Sequence, residues 1–285
     1  IKNTKITFLK FYQVFNTYRL NVLLPPNKQN LAIKVPNIST AYKIYLNGEL
    51  SAQGGKIGKT SEATTPLYSS TIITLPKSFD SLNIVVQVAN FHHRVGGIRH
   101  NILIGQEDDI RNESNRKDYA GFALLGGILI MGFYHLGLFW VKRTHISALY
   151  FGLFCLASVM RVLFEGEPLI RYLTSFDWFT SVRFEYVSIP LAVMAFGWFL
   201  HSLFPKELSR KMAILLSVAC LIPSVFIIFF APLFFIQLLP LIQLILLLSS
   251  IYGVVILIIA TKRKKDGARL LLGGFVVLFV AFMMC

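Results

Sequence analysis

Residues 106–143 read QEDDIRNESNRKD, YAGFALLGGILIMGFYHLGLFWV, KR, and the seam between Asp118 and Tyr119 decides how the whole chain is read. Eight of the thirteen residues before the seam are charged, whereas the twenty-three that follow, Tyr119 to Val141, carry no Asp, Glu, Lys or Arg. A bilayer core about 30 Å thick is crossed by about 20 apolar residues of helix. Residues 119–141 therefore have the length and composition of a membrane span. Upstream the pattern differs: residues 1–118 alternate polar and apolar side chains and hold 15 Lys/Arg against 8 Asp/Glu. Two environments are implied, and 285 residues that are 55% hydrophobic, with a mean hydropathy of +0.62, are too apolar for an ordinary soluble domain.

Toward the C-terminus, apolar runs recur at 146–164, 184–204, 212–230, 240–261 and 268–285, which with the first gives six predicted spans. Pro232 and Pro240 flank an uncharged segment, Leu233 to Leu239, read as a short turn in the interface before the fifth span. Basic loops are retained in the cytoplasm. Lys142 and Arg143, then Lys206, Arg210 and Lys211, then Lys262, Arg263, Lys264, Lys265 and Arg269 fall in every second loop. The alternation predicts these loops inside a bacterial cytoplasmic membrane and the N-terminal domain outside it, in the periplasm or the extracellular medium. Within the spans, Arg161 is placed to snorkel to the outer headgroups, and His135, His201 and Gln243 are read as packing or interhelical hydrogen-bonding residues. Residues 164–177, with Pro168, Leu169, Ile170, Tyr172, Leu173 and Phe176, fit either an amphipathic interfacial segment or an ordinary outer loop. The chain starts at Ile1 with no leader-like stretch and reaches Cys285 inside an unfinished apolar run. Both ends read as cut, so a seventh helix is expected beyond Cys285, and a signal peptide, if the gene has one, would precede Ile1.

Toward the N-terminus, short runs of period-two alternation are closed by turn residues, the pattern of an antiparallel β-sandwich. Tyr18, Leu20, Val22 and Leu24 face one way, and Pro25-Pro26-Asn27 ends that strand. Leu31, Ile33 and Val35 make the next apolar face. Tyr42, Ile44 and Leu46 then run into Asn47-Gly48, a hairpin signal because both residues tolerate positive φ. After a Gly-, Ser- and Thr-rich loop from Ser51 to Thr65, strands are predicted at Ser70–Leu75, Leu82–Ala89 and Ile98–Ile104. About eight strands fit, which suits a jelly roll. The predicted organisation is a β-domain over 1–105, a polar linker over 106–118 and a helical membrane domain over 119–285, truncated within the sixth of seven helices.

The sharpest local feature is Ala89-Asn90-Phe91-His92-His93-Arg94-Val95-Gly96-Gly97-Ile98. Gly96 and Gly97 permit a sharp reversal, and Asn90 can bond nearby backbone to shape the exit from the strand. His92, His93 and Arg94 then lie on a rim loop, where ligands commonly bind. Two readings stand side by side. Phe91 plugs the core while Asn90 and the glycines hold a corner, or Asn90, His92, His93, Arg94 and Tyr45 supply donors, acceptors and an aromatic face to a ligand. Adjacent histidines in extended chain point to opposite faces, so a metal site built on both is not expected. Together with Tyr18-Arg19-Leu20, the block from Ala41 to Gly48 and Gly55-Lys56-Ile57-Gly58, this run resembles the exported domain of bacterial seven-transmembrane receptors with diverse intracellular signalling modules. The order of domains matches too, and the likeness covers roughly residues 10 to 285. What the resemblance implies is a galactose-binding-like, carbohydrate-binding jelly roll outside the cell and, after the seventh helix, a cytoplasmic kinase, cyclase or phosphatase module.

The net charge of +14 does not point to nucleic acid, because ten of the 28 basic residues sit in three short loops and the rest are scattered. Cys155, Cys220 and Cys285 lie in apolar runs and the β-domain has none, so no disulfide framework holds it. No Gly-x-Ser-x-Gly elbow, phosphate-cradling loop or His-Glu-x-x-His helix occurs, and Glu165, Glu167 and Asp177 read as a solvated charged rim. Neither enzymatic activity of this stretch nor a cofactor is expected. The expected partners are the lipid bilayer, a small-molecule ligand of which carbohydrate is the leading class, and a second copy of the chain. A signalling receptor is the leading function. A transporter or channel with an exported cap would need a polar path through the spans, of which little is seen.

Overall fold

In the computed structural model, residues 4–6, 14–24, 30–76, 80–93, 96–98, 100–274 and 276 are described. The eight strands described are β1 (Thr4–Ile6), β2 (Val14–Leu23), β3 (Leu31–Val35), β4 (Ala41–Leu46), β5 (Glu49–Gly54), β6 (Thr71–Thr74), β7 (Ser81–Asn90) and β8 (Ile102–Gln106). They form two four-stranded antiparallel sheets, one in the order β1-β8-β3-β6 and the other β2-β7-β4-β5. The period-two alternation of the sequence becomes the two faces of these sheets. Ile33 and Ile102 from one sheet and Tyr42, Ile44, Leu82 and Ile84 from the other are buried in one apolar core. Each such aliphatic side chain contributes about 1.5–3 kcal/mol by leaving water.

The Asn47-Gly48 hairpin forms as expected, with φ of 50° and 91° and Leu46 opposite Glu49. Two boundaries differ from expectation. Ser51 to Gly54 is strand rather than loop, because pairing with β4 runs as far as Tyr42 opposite Gly54, and a ladder overrides the weak strand preference of Gly and Ser. The last strand begins at Ile102, not Ile98, because Gly97 has φ +83° and bridges to Ser39 on its own.

Helices follow. They are α1 (Glu107–Val141), α2 (Ile146–Phe164), α3 (Trp178–Leu203), α4 (Arg210–Phe229), the single turn α5 (Pro232–Phe235) and α6 (Leu239–Lys262). Among the described residues, five helical stretches are long and apolar enough to cross a membrane, with Pro232–Lys262 counting as one. The turn expected between Pro232 and Pro240 is itself helical, in α5 and a 3₁₀ turn (Ile236–Leu238), since with no charge and a proline at its first position nothing in it opposes helix. Most of the sixth predicted span, residues 275 and 277–285, lies outside the described residues; 268–274 are helical. The polar segment 106–118 is helical from Glu107 onward. Glu107, Asp108 and Asp109 suit the positive end of the helix dipole, and Glu107–Arg111 (2.6 Å) and Glu113–Lys117 (2.8 Å) pair one turn apart.

The chain divides into two compact units, residues 1–125, 162–183 and 231–237 in the first and the remainder in the second. In the second, α1 and α2 approach closely at Gly132 and Gly152, where a Cβ on Gly132 would lie 3.1 Å from that of Cys155. Phe151 and Phe154 of α2 pack on Phe199 and Phe196 of α3 at 5.1 and 5.3 Å between ring centres. Trp198 of α3 donates to Ser217 of α4 at 2.8 Å. Arg161 does not stand alone as a snorkelling side chain: Nη1 reaches Glu185 Oε1 at 3.5 Å and donates to the Glu185 carbonyl at 3.2 Å, pairing α2 with α3.

Candidate functional site

Tyr42 is fully buried in the β-domain core, and its hydroxyl donates to the Ser69 carbonyl at 3.2 Å. Burial pushes its phenol pKa up, with the Ser69 hydroxyl opposing, so the group stays a neutral donor at physiological pH. The Leu67 amide donates to the Thr40 carbonyl at 3.0 Å, and these two bonds fix residues 67–70 against the sheet. The segment between α2 and α3 lies opposite, within the same compact unit. It contains a 3₁₀ turn (Leu169–Tyr172) whose Leu169 is buried and touches the position of Gly121 on α1. Between these walls lies a cleft of about 170 Å³, lined among others by Asn37, Tyr68, Glu167, Arg171, Phe176 and Trp178.

The cleft is held by charge as well as by packing. Lys34, 8% exposed on β3, pairs with Glu167 Oε1 at 3.3 Å and donates to Ser114 Oγ of α1 at 3.1 Å. Ser70 Oγ donates to the other Glu167 oxygen at 3.2 Å. Arg171 Nη2 donates to both carboxylate oxygens of Asp118 at 3.1 Å, and the Tyr172 hydroxyl donates to the same group at 2.6 Å. Asn37 Nδ2 donates to the Gly166 carbonyl at 3.3 Å, while its Oδ1 is buried with no partner among the described residues. Glu167, read from sequence as part of a solvated rim, is thus the acid of a partly buried ion pair. The site offers acceptors at Asn37 and Glu167, hydroxyls at Ser69 and Ser70, and aromatic surface at Tyr68, Phe176 and Trp178. Such a set can hold a small molecule rich in hydroxyl or ammonium donors.

The Asn-Phe-His-His run adjoins this site through Trp178. Asn90 is 2% exposed, and its amide is engaged at both ends: Nδ2 donates to the His93 carbonyl at 2.7 Å and Oδ1 accepts from the His93 amide at 3.2 Å. A Cβ at position 96 would collide with the Asn90 side chain, which accounts for Gly96. His93 is buried, with its ring 6.4 Å from that of Trp178. His92 lies edge-on to Phe179 at 5.4 Å and to Trp178 at 6.3 Å, and its Nε2 is 3.3 Å from Ser61 Oγ. Burial holds the His92 imidazole pKa below its ordinary value, and the Glu62 carboxylate opposes this in part. The two histidines therefore grip the first residues of α3, whose start is capped by Asp177 accepting from the Thr180 amide at 3.0 Å. The Thr180 hydroxyl, and after it that amide bond, keep the Asp177 carboxyl below the usual range.

Arg94 lies outside the described residues. Tyr45 is half-buried on the outer face of its sheet, opposite Val85, while Ala41 is opposite Ala89. That register puts Tyr45 about 17 Å along the strand from the Asn90 corner, so it does not join the cluster. Asn37, Tyr68 and Trp178 carry no motif. Their role follows from long-range packing, and the one pointer in the sequence was the acidic, aromatic composition of residues 164–178.

A family model described as 7TM diverse intracellular signalling matches residues 117–285. No curated protein matches the chain. Among solved structures, 33% of the chain is similar to 15% of a protein assigned as a β-galactosidase from Bacteroides fragilis, at 17% identity and a TM-score of 0.26. A further 12% identity and TM-score of 0.24 relate 32% of the chain to 16% of a GH2 β-galacturonidase from Eisenbergiella tayi bound to galacturonate. The chain spans about a sixth of the length of those enzymes.

Proposed function

Because the chain belongs to the 7TM diverse intracellular signalling family of membrane receptors, we propose that its β-domain lies outside the cell, senses a small ligand in the cleft beside Trp178, and passes the event through the helices to a cytoplasmic output module. The observation that carries this reading is the make-up of the cleft: one wall is the β-domain, and the other is the segment leading directly into α3. A ligand touching both walls has different affinities for two positions of that segment, and only such a difference lets binding shift a bundle. A carbohydrate suits the Asn37 and Glu167 acceptors and the Trp178 and Tyr68 rings. The sheet orders β1-β8-β3-β6 and β2-β7-β4-β5 support reading the β-domain as a jelly roll. The three basic loops support an outside position for it in a bacterial inner membrane.

The test is a reporter of receptor output challenged with a panel of neutral and acidic mono- and disaccharides. Deleting residues 1–105 is expected to abolish any response while leaving membrane insertion intact, and Trp178→Ala is expected to raise the half-maximal concentration at least tenfold. An unchanged response in the deletion rejects the β-domain as sensor. A normal response in Trp178→Ala moves the ligand out of this cleft.

A further inference from the structure

Two basic loops meet at one end of the second compact unit. Phe204 and Leu208, between α3 and α4, share a buried cluster with Leu257 and Ala260 of α6 and with Ala268 beyond it. Glu207, its side chain 1% exposed, receives Arg263 Nη1 at 3.2 Å and ties the loops together. The pair consumes the one acid of the first loop. Lys206, Arg210, Lys211, Lys262, Lys264, Lys265 and Arg269 are all exposed, none has an ion-pair partner among the described residues, and Asp266 is the only other acid within 204–211 and 262–269. These cations sit where apolar helix gives way to polar chain: α4 starts at Arg210 and α6 ends at Lys262. They therefore stand at headgroup depth. The third basic loop is different in kind, with two cations, one of which, Arg143, is already stacked over Phe139 and Trp140 at 5.1 and 4.9 Å.

A rigid gathering of like charges at the edge of a bilayer repels itself unless it meets anions, and the nearest anions there are acidic lipid headgroups. We propose that residues 204–211 and 262–269 together form a binding site for acidic phospholipid headgroups, whose occupancy braces the α3–α4 loop against the loop that follows α6. Phosphate oxygens accept from Lys264, Lys265 and Arg269 on one side and from Lys206 and Lys211 on the other, while Arg263 remains with Glu207. The proposal rests on the membrane-receptor reading but not on the ligand cleft.

The experiment uses the complete receptor, extracted from membranes containing equal phosphatidylglycerol and phosphatidylcholine, with lipids retained on the protein measured by native mass spectrometry. Expected are a several-fold preference for phosphatidylglycerol, loss of that preference in Lys264→Gln/Lys265→Gln/Arg269→Gln, a similar loss in Lys206→Gln/Lys211→Gln, and no change in Lys142→Gln/Arg143→Gln. Equal retention of the two lipids by the unaltered receptor overturns the proposal with no variant needed. So does an unchanged preference in both loop variants, or displacement of the lipid by inorganic phosphate at matched concentration, which would mark a site for soluble anions. Thiol labelling of Lys264→Cys from each side of sealed vesicles tests the topology separately. Labelling from outside with the lipid preference intact would reject the orientation and keep the lipid site.

Discussion

Asn90 shows how one side chain can decide the use of a loop. Its amide closes two hydrogen bonds onto His93 and fills the space that Gly96 leaves. Asn90→Ala removes both partners from buried backbone groups, and the expected cost is about 1–3 kcal/mol. A lowered thermal midpoint of the full chain, with membrane insertion unchanged, checks this. His92 adds a pH dependence. Its folded-state pKa is depressed chiefly by burial, so the folded form binds protons less readily than the unfolded one. The corresponding stability is fully present above the ordinary imidazole value of about 6.5 and is lost as the pH falls from there through the lowered folded value. Melting curves of His92→Gln should lack this component, and identical pH profiles for variant and unaltered protein would dismiss it. The corner at Asn90 was legible because Asn and Gly act on their own neighbours in the chain. Trp178, against which both histidines rest, was not legible, since two membrane spans separate it from them in sequence.

At the scale of elements, hydropathy placed the helices well because lipid tolerates little ambiguity. Their ends were harder to place. Residues 107–118 looked like a polar linker, yet their Glu-Arg and Glu-Lys spacing at four residues is also helix chemistry, and α1 runs unbroken from Glu107 to Val141. A helix transmits displacement where a flexible tether does not. Asn115→Pro, at an exposed position, removes one backbone bond and opposes the helix by about 3 kcal/mol. Ligand binding should persist in this variant while output falls; retained output would mean that α1 is not in the path. Glu185 is a further miss. It stands near the start of the third predicted span and was not singled out from the sequence, yet it is the partner of Arg161.

For the molecule as a whole, the division into a wet β-domain and an apolar helical part was readable from composition, since burial of apolar surface and its exposure to lipid impose opposite patterns. What composition could not reveal is that residues 162–183 belong to the same compact unit as the β-domain. A loop between two spans is polar whether it faces water or a protein surface, and only the folded neighbours tell which. Lys34 then carries a consequence for how such a receptor fires. Its ammonium is shared by Ser114 on α1 and Glu167 on the approach to α3. One cation cannot follow two anchors that part company, so separating them leaves it with one or the other. A junction of that sort behaves as a toggle rather than a spring, and the output of the receptor should step rather than slide as occupancy rises.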